Sequence, residues 1–480
     1  MNYERRTELI IKYIFIALFA FSLISPGKVV FSQVVDDEDV EYNAPTTKKD
    51  LFSEFSGSLK MRYKGRFLEG KDGSDQDFYE SLRLNYADPF SDKVSAVFFG
   101  TLREDLEDPS SYFRSIDDTH DMTLRGYLYE FYANVKLSGL IDSVKIGRQY
   151  LSDVENLHFD GIHLSLKPFK NVRFTAYGGV PVHLSESSSD GDWISGVSAE
   201  IKPLESSTLR FDYISTSDNN IDIDDHHDNL LIFSVWQDIK PWWNIFGRYS
   251  MLDSISRDFQ IRSSWNFPSI DLNVQFSYYK QAQRLDNYTI EFDEFVPLMG
   301  GYEPYDQYTM DIYKGIGAHM GVNMGFSFRE LSDESDERQF NHDYERYYLT
   351  FSVFDFPVKG LTLSLTGDDY ETAGDDVQSL SFDATKDFNK RLKISLGSYF
   401  SLYKFDNSIA PVLTRTGNLS TNRFLVNGSI NDTERDNVKS YYLKIKKKLF
   451  DRWEITGKYE LEKFDSDTYH TVETGLKLTF

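Results

Sequence analysis

The last nine residues, Val472-Glu-Thr-Gly-Leu-Lys-Leu-Thr-Phe480, alternate two kinds of side chain. Val472, Thr474, Leu476, Leu478 and Phe480 fall on one side; Glu473, Gly475, Lys477 and Thr479 fall on the other. Successive side chains of a β-strand point to opposite faces, so this period of two separates a greasy face from a polar one. The same pattern recurs upstream. Trp453, Ile455, Gly457, Tyr459 and Leu461 alternate with Glu454, Thr456, Lys458, Glu460 and Glu462. Before them, Tyr441, Leu443 and Ile445 alternate with Tyr442, Lys444 and Lys446, and Phe450-Asp-Arg452 makes a turn. From residue 51 onward the chain reads as strand, turn, strand, with almost no helical periodicity.

A greasy face must meet either a protein core or lipid. In a soluble sheet Leu476, Leu478 and Phe480 would pack inward. In a membrane barrel they would face hydrocarbon while the polar face lines the lumen. The terminal aromatic resembles the closing strand of Gram-negative outer-membrane barrels. That resemblance implies that Leu476, Leu478 and Phe480 form the signal read by the barrel-assembly machinery. It also implies contact with outer-membrane lipid and lipopolysaccharide.

The other end of the chain reads as an export signal. Arg5, Arg6 and Lys12 precede the apolar run Tyr13–Ile24, too short for a comfortable spanning helix. Val30 and Ser32 are the small residues expected before a cleavage site, which predicts a signal peptide over 1–32. Its loss removes four basic and two acidic residues and takes the formal charge from −24 to −26. Residues 33–50, with Asp36-Asp-Glu-Asp39, form an acidic stretch without pattern, expected to be a flexible periplasmic segment. The barrel is then residues 51–480, a single closed unit.

So acidic a chain lacks the basic footprint that nucleic-acid binding needs. With no cysteine there are no disulfides, thiolate metal sites or CxxCH haem attachment. Aromatic residues make up 16% of the chain, with 38 Phe and 31 Tyr, while mean hydropathy is only −0.46. Aromatics spread over short alternating segments suit interfacial girdles and a lipid-facing band. A large soluble β-sandwich or propeller is the competing fold, but no blade-like repeat is visible.

Twenty-one segments read as strands. Bacterial single-chain barrels have an even number, with both ends in the periplasm. Counted from the front, the strand at 270–282 runs outward; counted from the back, the strand at 311–328 also runs outward. One inward strand is therefore missing between them, and Asn287–Phe295 is the candidate. The expected fold is all-β, a transmembrane antiparallel barrel of about 22 strands, or 20 or 18 if weak segments are loops. Short periplasmic turns and longer extracellular loops are expected to alternate.

If the apolar faces look outward, Arg83, Glu130, Arg173, Arg210, Asp212, Arg248, Arg346, Glu454 and Lys458 look into the lumen. Charges of both signs on a wet wall would select ions or polar solutes. Alternatively they pair across strands and stiffen the wall. Net acidity points to cation preference, although loop carboxylates can account for most of it. In the 311–328 segment four inward positions are glycines: Gly315, Gly317, Gly321 and Gly325. Glycine in a strand marks either close approach of another segment or curvature. A stretch containing Pro297, Tyr302 and Tyr305 is the candidate occupant, folded inward as a constriction.

Ile146-Gly-Arg-Gln149 and Phe159-Asp-Gly161 resemble a Gly-Arg-Gln and Asp-Gly pair of alginate-export-type barrels and related porins. The resemblance covers about 20 residues and implies a role in export for Arg148. Only Leu151–His158 separates the two elements, a departure from that family. Alternation from Val144 and Ile146 puts Arg148 on the apolar face unless Gly147 opens a bulge.

Asp222, Asp224, Asp225, His226, His227 and Asp228 crowd one loop, and Asp72, Asp75 and Asp77 another. Neither has calcium or zinc spacing, so no metal and no cofactor are expected. No phosphate-binding glycine loop or GxSxG elbow points to an enzyme. The function expected is a porin-like channel in the outer membrane of a Gram-negative bacterium, passing small polar solutes or ions passively. Two other readings remain open: a barrel that docks a partner in an export or electron-transfer complex, and an outer-membrane enzyme. A homo-oligomer or a periplasmic partner fits the first two.

Overall fold

The computed structural model describes residues 55–70, 74–88, 93–106, 124–151, 155, 157–182, 191–218, 226–283, 304–332, 343–372, 376–389, 391–401, 438–450, 452–464 and 467–480. The expected signal and acidic segments, 1–32 and 33–50, lie outside the described residues.

Alternating segments rich in Val, Ile, Thr and aromatic residues fold as strands. The first six are β1 (Phe55–Leu68), β2 (Ser74–Ala87), β3 (Val94–Asp105), β4 (Leu124–Lys136), β5 (Ile141–Leu151) and β6 (Leu157–Phe169). Then come β7 (Val172–Pro181), β8 (Trp193–Leu204), β9 (Ser207–Asp218), β10 (His226–Lys240), β11 (Trp243–Leu252) and β12 (Ile255–Phe267). After one 3-10 turn at Pro268–Ile270 follow β13 (Leu272–Gln281), β14 (Tyr305–Ile316), β15 (Met320–Leu331), β16 (Tyr344–Phe354) and β17 (Leu361–Thr372). The last are β18 (Asp376–Asp387), β19 (Leu392–Ser401), β20 (Val438–Leu449), β21 (Trp453–Phe464) and β22 (Asp467–Thr479).

Each strand pairs antiparallel with its sequence neighbours, and β1 pairs with β22, closing a barrel of 22 strands. Closure is completed by the chain end. The Gly57 amide donates to the Phe480 carbonyl at 2.7 Å, and the Phe480 amide returns the bond at 3.0 Å. A side chain at Gly57 would collide with the Arg83 carbonyl and the Phe480 ring.

At one end of the barrel the links are short, as at 170–171, 205–206, 241–242 and 317–319. Asp271, Asp355, Phe450 and Gly317 make several of these turns with positive φ. At the other end several links are long, as at 106–123, 282–304 and 402–437. The short turns mark the periplasmic rim and the long links the outer one.

The strand count of 22 holds, but its bookkeeping differs from the sequence reading. What reads as one strand over 311–328 is the hairpin of β14 and β15. Ile316, Ala318 and Met320 carry the alternation straight through the turn, and only Gly317, at φ 63°, betrays it. The missing inward strand is therefore β14. The candidate at 287–295 lies outside the described residues.

Register sorts the side chains into two faces. On one, Leu443 opposes Leu396 and Tyr459, and Met324 opposes Ile312 and Leu349. Ile146, Ile162, Val197, Phe233, Leu365 and Ile455 lie on this face, all exposed. Only a closed sheet lets strands present such a face to hydrocarbon, because no edge is left with unpaired backbone groups. Near the periplasmic rim Trp242, Trp243, Trp265 and Phe267 form a stacked group, with Trp242 5.2 Å from Phe267. Aromatics at this level form the interfacial girdle. The opposite face lines the interior.

Candidate functional site

All nine charged positions singled out in the sequence fall on the inner face by register, and most are engaged with a partner. Arg83 opposes Phe99, which opposes Glu130. The guanidinium passes over the Phe99 ring, 5.4 Å from its centroid, to reach Glu130 at 2.9 Å. Arg346 meets Asp368 at 2.7 Å, Glu454 meets Lys446 at 3.0 Å, and Lys458 meets Glu460 at 2.7 Å. Arg173 lies opposite Glu200. Arg210 and Asp212 pair at 2.9 Å, and both are buried, with Ser198 bonded to the same carboxylate. Pairing, across strands for Arg83, Arg346 and Glu454 and within one strand for Arg210 and Lys458, is thus a main occupation of these charges, and it fixes the side chains against the wall.

Arg248 belongs to a different arrangement. Glu155, from the link between β5 and β6, reaches Arg248 on β11 and Arg257 on β12, the latter at 3.0 Å. A register shift near Ser250 and Met251 lets both Arg257 and Asp258 turn inward. Arg257 also bonds Asp258 at 2.5 Å, and both are almost fully buried. Below this ionic group lies a dry cluster formed by Leu157, Phe159, Tyr177, Ile194, Ile214 and Leu230 among others. These are inner-face positions of β6 to β10, yet Leu157, Phe159, Ile214 and Leu230 have no exposed surface. The outer end of β5 and β6 therefore folds inward over the neighbouring strands.

A constriction was expected from Pro297, Tyr302 and Tyr305. Pro297 and Tyr302 lie outside the described residues. Tyr305 begins β14, its ring 3.7 Å from the Arg329 guanidinium. The inward element seen here is instead the β5–β6 end. Its link is too short to attract notice, and the available signal was the apolar character of Leu157 and Phe159 on a face that is otherwise polar.

The glycines have a specific occupant. Gly325 opposes Tyr348, and a side chain there would collide with the Tyr348 ring. The ring crosses the bare backbone so that its hydroxyl donates to Asp311, which opposes Gly325 from the next strand. Tyr442, Gly397 and Asp383 repeat this arrangement across β20, β19 and β18. Tyr177 likewise covers Gly196. Close approach is the reason for Gly325, and what approaches is a neighbouring tyrosine. Gly315 and Gly321 oppose each other beside the Gly317 turn, at the foot of the hairpin.

The chain's net charge of −24 does not describe the inner wall. Across β19, β20, β21, β22 and β1 the register sets lysine directly against lysine three times: Lys393–Lys446, Lys444–Lys458 and Lys477–Lys60. Alternation in the sequence shows each of these lysines to be inward; only the strand register shows that they are opposed.

Arg148 faces outward. It opposes Phe131, beside exposed Ile146 and Ile162, and Gly147 opens no register shift despite a φ of 124°. Its guanidinium forms a fork with Asp160 at 2.8 and 2.6 Å and donates to the Leu128 carbonyl at 3.1 Å. The Gly-Arg-Gln and Asp-Gly elements thus meet across β5 and β6, with Gln149 turned inward and donating to the Gly161 carbonyl at 3.2 Å.

Of the two acidic groups read as loops, Asp72, Asp222, Asp224 and Asp225 lie outside the described residues, whereas Asp75 and Asp77 belong to β2 and His226, His227 and Asp228 begin β10. Asp75, Asp77 and Asp105 bring carboxylate oxygens within 4.8 Å of one another. Arg66 and Arg103 pair with Asp75 and Asp77, so the group is already charge-compensated.

No protein-family model matches the chain, and no curated protein matches it either. The alginate-export resemblance therefore gains no support at the level of family. Among solved structures, the chain is similar to the P pilus usher (PapC) translocation pore, at 10% identity and TM-score 0.48, covering 88% of this chain and 100% of that one. It is also similar to OccK2 (OpdF) of Pseudomonas aeruginosa, at 11% identity and TM-score 0.43, covering 89% and 98%. A BenF-like porin from Pseudomonas fluorescens Pf-5 gives 9% identity and TM-score 0.43, covering 89% and 99%. The closed barrel and its apolar exterior place the chain in a Gram-negative outer membrane.

Proposed function

We propose that the chain is a porin-like channel through which small polar solutes or ions pass down their gradients. One observation carries this reading: a closed 22-stranded wall whose inner face is charged and hydroxylated while its outer face is apolar. A barrel of this size encloses space that side chains alone do not fill, so the interior is either an aqueous path or is plugged. The inward β5–β6 end, tied to β11 and β12 through Glu155, narrows the path on that side. Selection is non-covalent, set by the size of the remaining opening and by the charges around it.

The test is electrical. Folded protein inserted in a planar bilayer is expected to give steady single-channel currents in potassium chloride. Inserted protein that carries no current would sink this reading in favour of a plugged or partner-docking barrel.

A further inference from the structure

The inner wall of β19 to β22 and β1 departs from the rest of the barrel. Elsewhere a basic side chain such as Arg83, Arg210 or Arg346 is met by a carboxylate. Here three lysine pairs stand face to face, an arrangement that destabilises a sheet. Glu454 and Glu460 compensate Lys446 and Lys458, Glu473 stands opposite both Lys458 and Lys64, and on their other sides Lys477 and Lys393 oppose Glu454 and Asp387. Lys60, Lys393, Lys444 and Lys477 form no ion pair or hydrogen bond with any described residue. Arg62 stands in the same field, its guanidinium 4.3 Å above the Tyr79 ring.

The lattice also has a glycine at its centre. Gly475 opposes Arg62 on one side and Thr456 on the other, between Glu473 and Lys477 on its own strand. Lys60 and Lys64 occupy the diagonal positions on β1. Gly475 brings no side chain of its own, the Thr456 hydroxyl lies against it, and the surrounding ammonium and guanidinium groups outnumber the carboxylates of Glu454 and Glu473. Repulsion among these groups is a cost to the fold, and Glu454, Glu460 and Glu473 do not offset all of it. A mobile counter-charge would.

We propose that this wall is a binding track for small organic dianions, an inference that rests on the channel reading above. Opposed side chains sit about 5 Å apart at Cβ, so one pair presents two ammonium groups to a single solute. One negative charge satisfies only one of them; two satisfy both. Successive pairs on adjacent strands then offer a sequence of similar sites, close enough for a solute to pass from one to the next.

The experiment uses the full folded protein in a planar bilayer, with succinate as the dianion and acetate as the monoanion control. The reversal potential under a potassium chloride gradient is expected to show chloride preference. Succinate is expected to reduce the current at concentrations where acetate does not. A variant carrying Lys60→Gln, Lys393→Gln, Lys444→Gln and Lys477→Gln relieves repulsion, so it should fold. Its succinate block should weaken about tenfold or more, the scale of a few solvent-exposed charge contacts. Cation preference in the native protein, or equal block in the variant, would overturn the track and leave the channel standing. Absence of current from inserted native protein would overturn both.

Discussion

Glu155 accepts a hydrogen bond from Arg257 at 3.0 Å, joining the β5–β6 link to a strand that lies beyond five intervening neighbours. Arg248 closes on the same carboxylate, so one side chain ties down the inward-folded end. Removing one partner of a buried charged group leaves the others uncompensated, at a cost of about 3 kcal/mol or more. Glu155→Gln should therefore free this end from β11 and β12 and raise single-channel conductance. Equal conductance in the variant and the native protein would show that the contact does not limit the path.

The tyrosine crossings predict a stability effect with a chemical signature. Gly325→Ala places a methyl group where the Tyr348 ring lies, which should destabilise the barrel by about 1 to 3 kcal/mol. Tyr348→Phe keeps the ring and removes the hydroxyl bound to Asp311, costing about 1 to 2 kcal/mol. Urea unfolding in lipid vesicles measures both. If Tyr348→Ala fully rescued Gly325→Ala, the ring contact would be confirmed as the source; an additive double variant would argue against it.

Arg148 and Asp160 give a test of the outer face. Arg148→Ala leaves a carboxylate facing outward near the outer rim and should cost about 1 kcal/mol. Replacing both residues with leucine should cost less than either single truncation, because no charge is then left unpaired. The same unfolding assay in lipid decides it. A double-leucine variant weaker than both singles would mean the pair is held in water, not at the membrane.

At the closing seam, Gly57→Leu should block the approach of Phe480 and of the Arg83 carbonyl. We expect reduced yield of heat-modifiable, folded barrel on gels, with full-length unfolded chain accumulating. Phe480→Ala should lower the yield as well, through the C-terminal strand. Normal yield from Gly57→Leu would show that the seam tolerates a gap at this position.

Much of the architecture is legible in the sequence because alternation is a local property and a barrel repeats it. The apolar face of β20 to β22, and the inward direction of Arg83, Arg346 and Glu454, follow from counting by twos. What is not legible depends on distant strands. The β14–β15 turn hides because Ile316, Ala318 and Met320 keep the period intact. The contact of Glu155 with Arg257 spans about 100 residues and has no local mark. The opposed lysines require knowing which residue of β20 meets which of β19, a matter of pairing that no single strand encodes.

Alternation also leaves one class of error uncorrected. If β16 shifted by two residues along β15, every apolar side chain would still face lipid and every polar one the interior. The Tyr348 ring, however, would then meet Asn323 or Ser327 instead of Gly325. Those side chains fill the space that the ring occupies. The tyrosine crossings thus act as a check on even-numbered slips, to which the hydrophobic pattern is blind, and they make the native alignment of β14, β15 and β16 distinguishable from its nearest imitation.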